Sequence, residues 1–149
     1  MALRSLLNGN LILLNIKCSS KEELINKLLA RVYEAGLEPP FPMDEVLKKI
    51  SMREEIGGTL LPSGLSVPHA RLGNYEDFVL AIGTPAEPIF QGGIQIHLMA
   101  MMISSQSGGP HYLPTLAELT KLSRDREYFL RLCSVAHNDD FVQMILDRD

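Results

Sequence analysis

Ile94-Gln95-Ile96-His97-Leu98-Met99-Ala100-Met101-Met102-Ile103 is the most apolar stretch of the chain, broken only by Gln95 and His97. A run this apolar is predicted to form one strand, Ile94 to Ile103, covered on both faces at the centre of a sheet. It is too short for a membrane span, which needs roughly 20 apolar residues. Downstream, Ser104 to Gly109 reads as a polar, glycine-containing loop, and Pro110 suits the first turn of a helix. Leu113, Leu116, Leu119 and Leu122 follow at repeating threes as that helix's apolar positions. Further helices are predicted over Arg124 to Ser134 and Asn138 to Leu146. Upstream, Phe78 to Ile82 is a second strand and Asn10 to Ile16 a third. Ser20 is placed to cap a helix whose first turn carries Glu22 and Glu23, whose buried positions are Leu24, Ile25, Leu28, Leu29 and Val32, and which stops at Gly36. Pro39-Pro40-Phe41-Pro42 makes a turn, and Met43 to Glu55 a second helix that ends at Gly57-Gly58. Pro62, Ser63 and Gly64 form a turn, Leu65-Ser66-Val67 is a short extended piece, and Pro68 fixes the backbone before His69. Strands alternating with helices predict an α/β layer structure, a sheet with helices on its faces, in one domain over residues 1–149.

The 149 residues are enough for a buried core, and 46% of them are hydrophobic against 21% charged. The formal charge of −4 opposes nucleic-acid binding, which relies on a dense positive surface. The start of the chain, Met-Ala-Leu-Arg, lacks the apolar core and cleavage site of a signal peptide, so none is expected, and the two cysteines read as thiols of a reducing cytoplasm. Cys18 and Cys133 form no CxxC pair, which leaves no basis for a disulfide framework or a zinc site. Cys18-Ser19-Ser20 superficially suits a phosphate-binding thiolate loop, but the next residues, Lys21-Glu22-Glu23-Leu24, lack the arginine such a loop uses. No metal and no cofactor is expected. The chain also lacks the Gly-x-x-x-x-Gly-Lys loop that cradles nucleotide phosphates.

Chemistry then falls to the four histidines. His97, inside the apolar strand, reads as a satisfied core or edge residue, and His137, before Asn138-Asp139-Asp140, as a surface residue capping a helix start. His69 has a different setting. It follows Val67-Pro68 at the end of an extended segment, with small Ala70 next to it, so an accessible ring is expected where ligands meet open α/β sheets. His111 follows the long strand and Gly108-Gly109, and sits in the first helical turn, where unpaired N–H groups attract anions. Two imidazoles there could hold a phosphoryl group, one as acceptor and one as hydrogen-bond donor, with Arg53 and Arg71 contacting its oxygens. Spacing alone leaves this pairing level with two unrelated surface histidines.

Arg53-Glu54-Glu55-Ile56-Gly57-Gly58-Thr59 through Ser66-Val67-Pro68-His69-Ala70-Arg71 resembles enzyme IIA of the fructose and mannitol class. These are domains of the bacterial phosphoenolpyruvate-dependent sugar phosphotransferase system, and the class includes the nitrogen-related regulatory enzyme IIA. Arg53, Thr59, Pro68 and His69 follow the family's order and spacing, and the likeness runs over nearly the whole chain. The turn Leu60-Leu61-Pro62-Ser63-Gly64-Leu65-Ser66 is less glycine-rich than usual, and Pro114 interrupts the ordinary helix formers after His111. The resemblance implies a single mixed β-sheet flanked by helices on both faces. It implies that His69 Nε2 accepts a phosphoryl group from a phosphohistidine carrier, HPr or a relative, and that the group passes to a cysteine of a separate enzyme IIB. Arg53 and Thr59 would line the pocket, and His111 would steady the phosphorylated ring. Apolar surface near His69 is expected for docking. A regulatory module using the same histidine to control a transporter or kinase is the alternative, and a ligand-binding domain with an inert His69 is a third reading.

Overall fold

The computed structural model describes residues 2–148. Its sheet contains β1 (Ile12–Ile16), β4 (Val79–Pro85), β7 (Leu98–Ser105) and, on the far edge of β7, β2 (Leu65–Ser66) and β3 (His69–Leu72). β1 runs parallel to β4, β4 antiparallel to β7, and β2 and β3 parallel to β7, so the sheet is mixed, as the resemblance implied. A separate ribbon pairs β5 (Ile89–Gln91) with β6 (Ile94–Ile96). The helices are α1 (Ala2–Leu6), α2 (Lys21–Glu34), α3 (Met43–Ile56), α4 (Tyr112–Arg124), α5 (Arg126–Cys133) and α6 (Asn138–Asp147).

Side chains of a strand alternate between faces, and β7 divides the core accordingly. Met99, Met101 and Ile103 pack with Leu24, Leu28 and Val32 of α2 and Val46 and Ile50 of α3. Leu98, Ala100 and Met102 pack with Leu119 and Leu122 of α4, Phe129 of α5 and Phe141 and Ile145 of α6. Covering both faces is what made the strand read as a continuous apolar run.

The predicted strand from Ile94 to Ile103 is two strands. His97 separates them because Gly64 crosses there, its carbonyl accepting from His97 N at 2.9 Å. Gly64 has φ +96°, and a Cβ on it would lie 2.5 Å from the Gln95 carbonyl oxygen and 2.8 Å from His97 Cδ2. β6 instead turns back on β5 through Gly92-Gly93, both at positive φ, the backbone a tight two-residue hairpin requires. Gly-Gly between Ile89-Phe90-Gln91 and Ile94-Gln95-Ile96 was the sequence signal for this hairpin.

β2 and β3 are one extended segment in a single unbroken register: Leu65 pairs with Leu98, Ser66 with Met99, His69 with Met102 and Leu72 with Ser105. The Pro68 carbonyl accepts from Met102 N at 2.9 Å, but proline has no N–H to return, so the ladder is interrupted immediately before His69. The register puts His69 on the α4 face, beside Met102.

The predicted helices form with boundaries shifted by a few residues. α4 departs in its apolar face: Leu119 and Leu122 are buried, whereas Leu113 is 70% exposed. At about 100° per residue, nine positions carry Leu113 half a turn away from Leu122. Among the described residues, no helix is long and apolar enough to cross a membrane.

Candidate functional site

β3, β7, α3 and α4 bring His69, Arg71, Ser104, Arg53 and Tyr112 together. His69 and Arg71 lie two residues apart on one strand and face the same way. Arg53 arrives from the last turn of α3, where its Nη1 donates to the Gly57 carbonyl at 2.7 Å. Tyr112 opens α4 and lays its ring on His69, with centroids 4.2 Å apart and planes 9° from parallel. The Arg71 guanidinium carbon is 5.3 Å from the centroid of the same Tyr112 ring. A hollow of about 660 Å³ lies beside them, lined by His69, Arg53, Arg71, Tyr112, Lys49, Met52, Glu55 and Ile56. Met52 and Ile56 are 57% and 80% exposed, so apolar surface does border the hollow.

The His69 ring is not the accessible one expected from its small neighbours in sequence. It is only 4% exposed, because Tyr112, distant in sequence, covers it. Its Nε2 lies 2.7 Å from Ser104 Oγ. Burial, then the charges of Arg71 and Arg53, lower its pKa from 6.5 to about 4. The ring is therefore neutral at pH 7 and carries one unprotonated nitrogen.

Two of the expected pocket residues stand elsewhere. His111 is the N-cap residue of α4, and its ring packs against Phe78, centroids 5.7 Å apart, outside the lining of the hollow. One residue along a helix turns a side chain by about 100°, and that step gives the place on His69 to Tyr112. Thr59 is buried and donates from Oγ1 to Glu54 Oε2 at 2.7 Å, and the same oxygen receives Lys21 Nζ at 2.6 Å. Its hydroxyl is thus engaged in the clasp between α2 and α3, and Thr59 does not line the hollow. Arg53 and Arg71 do line it.

Ser104 and Tyr112 were missed in the sequence. Ser104 shares strand parity with Ala100 and Met102, which places it on the His69 face, but the predicted strand stopped at Ile103 and left Ser104 in the loop, whereas β7 runs to Ser105. Tyr112 stood beside a more conspicuous histidine. His97 is half-buried and packed edge-on to Phe129, with centroids 6.4 Å apart, and its Nε2 has no hydrogen-bond partner among the described residues, so it stands at the edge of the core and is not a satisfied residue. His137 is the exposed N-cap residue of α6 and makes no side-chain cap bond. Both thiols are free, and burial raises the Cys133 pKa to about 12.

The fold and site define an α/β domain whose one buried, neutral histidine borders an arginine-lined hollow. The family "Phosphoenolpyruvate-dependent sugar phosphotransferase system, EIIA 2" matches residues 5–148, and the chain belongs to it. It is 27% identical over 153 aligned positions to the 2-O-alpha-mannosyl-D-glycerate-specific EIIABC component of Escherichia coli K12, an alignment covering 99% of this chain and 23% of that protein. The chain thus spans about a quarter of that relative's length. The crystal structure of nitrogen regulatory protein IIA-Ntr from Neisseria meningitidis superposes with a TM-score of 0.77 at 19% identity, over 97% of this chain and 99% of that one. Enzyme IIA of mannitol from Escherichia coli, solved in complex with phosphorylated enzyme IIB, gives 0.75 at 18% identity, over 95% and 98%. These likenesses carry the fold.

Proposed function

We propose that this chain is a cytoplasmic phosphoryl carrier domain, with His69 taking a phosphoryl group from an HPr-like phosphohistidine protein and passing it to a cysteine of an enzyme IIB partner. Family membership supports the carrier role. The carrying observation is a neutral imidazole, His69, on a hollow bordered by Arg53 and Arg71. A neutral ring offers a lone pair to phosphorus, and the guanidinium groups complement the oxygens of the transferred group. Binding both the incoming and the outgoing phosphoryl group against positive charge favours positioning over permanent capture, because the P–N bond itself remains labile. Exposed Met52 and Ile56 give partner proteins an apolar rim to dock on. The enzyme IIB partner is inferred from the mannitol complex. Tyr112, stacked on His69, takes the steadying role that the resemblance assigned to His111, and Thr59 acts through Glu54.

Incubation with phosphoenolpyruvate, enzyme I and HPr, followed by mass spectrometry under alkaline conditions that preserve phosphohistidine, tests this reading. Label on His69 that is lost in His69→Ala is the expected result. Absence of label with several HPr relatives refutes it.

A second reading draws on the likeness to the nitrogen regulatory IIA-Ntr: phosphorylation of His69 would switch binding to a transporter or kinase. It predicts a labelled protein that does not discharge to any enzyme IIB.

A further inference from the structure

An imidazole nitrogen forms its bonds in the plane of the ring, along its own lone pair, and the directions at Nδ1 and Nε2 diverge. The surroundings of His69 make the two nitrogens unequal. Tyr112 lies on one face of the ring, with planes 9° from parallel, and so closes neither edge. The Nε2 edge is closed by Ser104 Oγ, 2.7 Å away on a side chain that is itself fully buried. Ser104 pairs with Arg71 in the β3–β7 register, so its backbone is held in the sheet. Turning Oγ aside would deprive both groups of a buried hydrogen bond, which is costly. Phosphorus has no room at Nε2.

Nδ1 is placed differently. It makes no hydrogen bond among the described residues. Nor is it one of the buried side-chain atoms left without a partner, which are Glu54 Oε1, Ser66 Oγ, His97 Nε2 and Thr115 Oγ1. The small exposure that His69 retains therefore includes Nδ1. His69 borders the same hollow as Arg53 and Arg71, so a group arriving at the open edge meets both guanidinium side chains.

We propose that Nδ1 of His69 is the phosphoryl acceptor and that Ser104 holds Nε2, a departure from the Nε2 acceptance that the family resemblance implies. The inference rests on the carrier reading above. Reaction at Nδ1 requires the ring proton on Nε2, and the groups to hold it there are in place. Ser104 Oγ accepts from Nε2–H and gives its own hydrogen to the Ser105 carbonyl oxygen, 3.3 Å away. In the step, the Nδ1 pair attacks phosphorus of the donor's phosphohistidine. The Nδ1–P bond forms as the donor's P–N bond breaks, and that bond's electron pair returns to the donor nitrogen. Nε2 keeps its proton, so the ring becomes cationic beside the phosphoryl oxygens while Ser104 Oγ stays an acceptor facing it.

NMR of ring-nitrogen-15-labelled protein, charged with phosphoenolpyruvate, enzyme I and HPr and kept alkaline, tests the assignment. Nε2 correlates strongly with two ring protons and Nδ1 with one, which identifies the phosphorylated nitrogen. The parent is expected to carry its phosphoryl group on Nδ1. Ser104→Ala, which opens the Nε2 edge, should shift a detectable share to Nε2. A parent phosphorylated on Nε2 overturns the proposal and leaves the carrier reading standing. A Ser104→Ala variant phosphorylated wholly on Nδ1 overturns the role given to Ser104. A parent that takes no phosphoryl group on His69 refutes the carrier reading and this proposal with it.

Discussion

At the scale of single residues, the site depends on the cover over His69. Tyr112 shields one face of the ring, and two guanidinium groups oppose its protonation. An NMR titration should therefore place the His69 pKa near 4 in the parent. In Tyr112→Ala it should move up toward 6.5 as water reaches the ring, with phosphoryl transfer slowed. His111→Ala should leave both the titration and the transfer as in the parent, since its ring rests on Phe78. An equal response to the two substitutions would contradict the assignment of the steadying role to Tyr112. The shift also sets a pH dependence of stability. The unfolded ring takes up a proton near pH 6.5 while the folded ring resists until about 4. His69 then contributes its full share of stability above 6.5, and that share falls as pH drops toward 4. Urea midpoints measured from pH 7.5 to 4 should fall less steeply in a His69→Gln variant than in the parent.

At the scale of elements, the crossing at Gly64 positions the segment that carries His69. With φ at +96° and backbone and ring atoms closer than a Cβ tolerates, Gly64→Ala forces the turn away from His97. A loss of about 2–4 kcal/mol is expected, combining backbone strain with the clash. Thermal unfolding should show it as a clear drop in Tm; an unchanged Tm would mean that the crossing yields. Much of this level was legible beforehand. The apolar runs of α2 and α3, the Ser20 cap (which accepts from Glu23 N at 3.1 Å) and the extended piece before Pro68 all follow from local chemistry. The β5–β6 hairpin was not anticipated, because Ile94 to Ile96 had been absorbed into the long apolar run. Leu113 had likewise been grouped with the core positions of α4, although a period of three falls about 60° short of a full turn at each step and three steps carry Leu113 to the opposite face from Leu122.

At the scale of the whole molecule, the clasp of Lys21, Glu54 and Thr59 ties α2 to α3, and α3 delivers Arg53 to the hollow. Lys21 is 5% exposed, so Glu54→Ala would leave a buried ammonium without its carboxylate. Unfolding in urea should register a loss of about 3 kcal/mol, the cost of stranding one partner of a buried pair. If the change lies within 0.5 kcal/mol, Lys21 reaches solvent readily and the clasp contributes little. The sequence by itself determined the α/β class, because apolar periodicity and glycine and proline punctuation act over a few neighbouring residues, and it marked His69 and Arg53 through a proline–histidine step joined to a family resemblance. Only the tertiary structure decided what meets His69. Whether Tyr112 or His111 covers the ring depends on the phase of a helix more than forty residues away, and whether Thr59 points to the hollow or to Glu54 depends on how α2 and α3 pack. Contacts between distant segments are set by how whole elements dock on the sheet, and no local pattern in the chain encodes that docking.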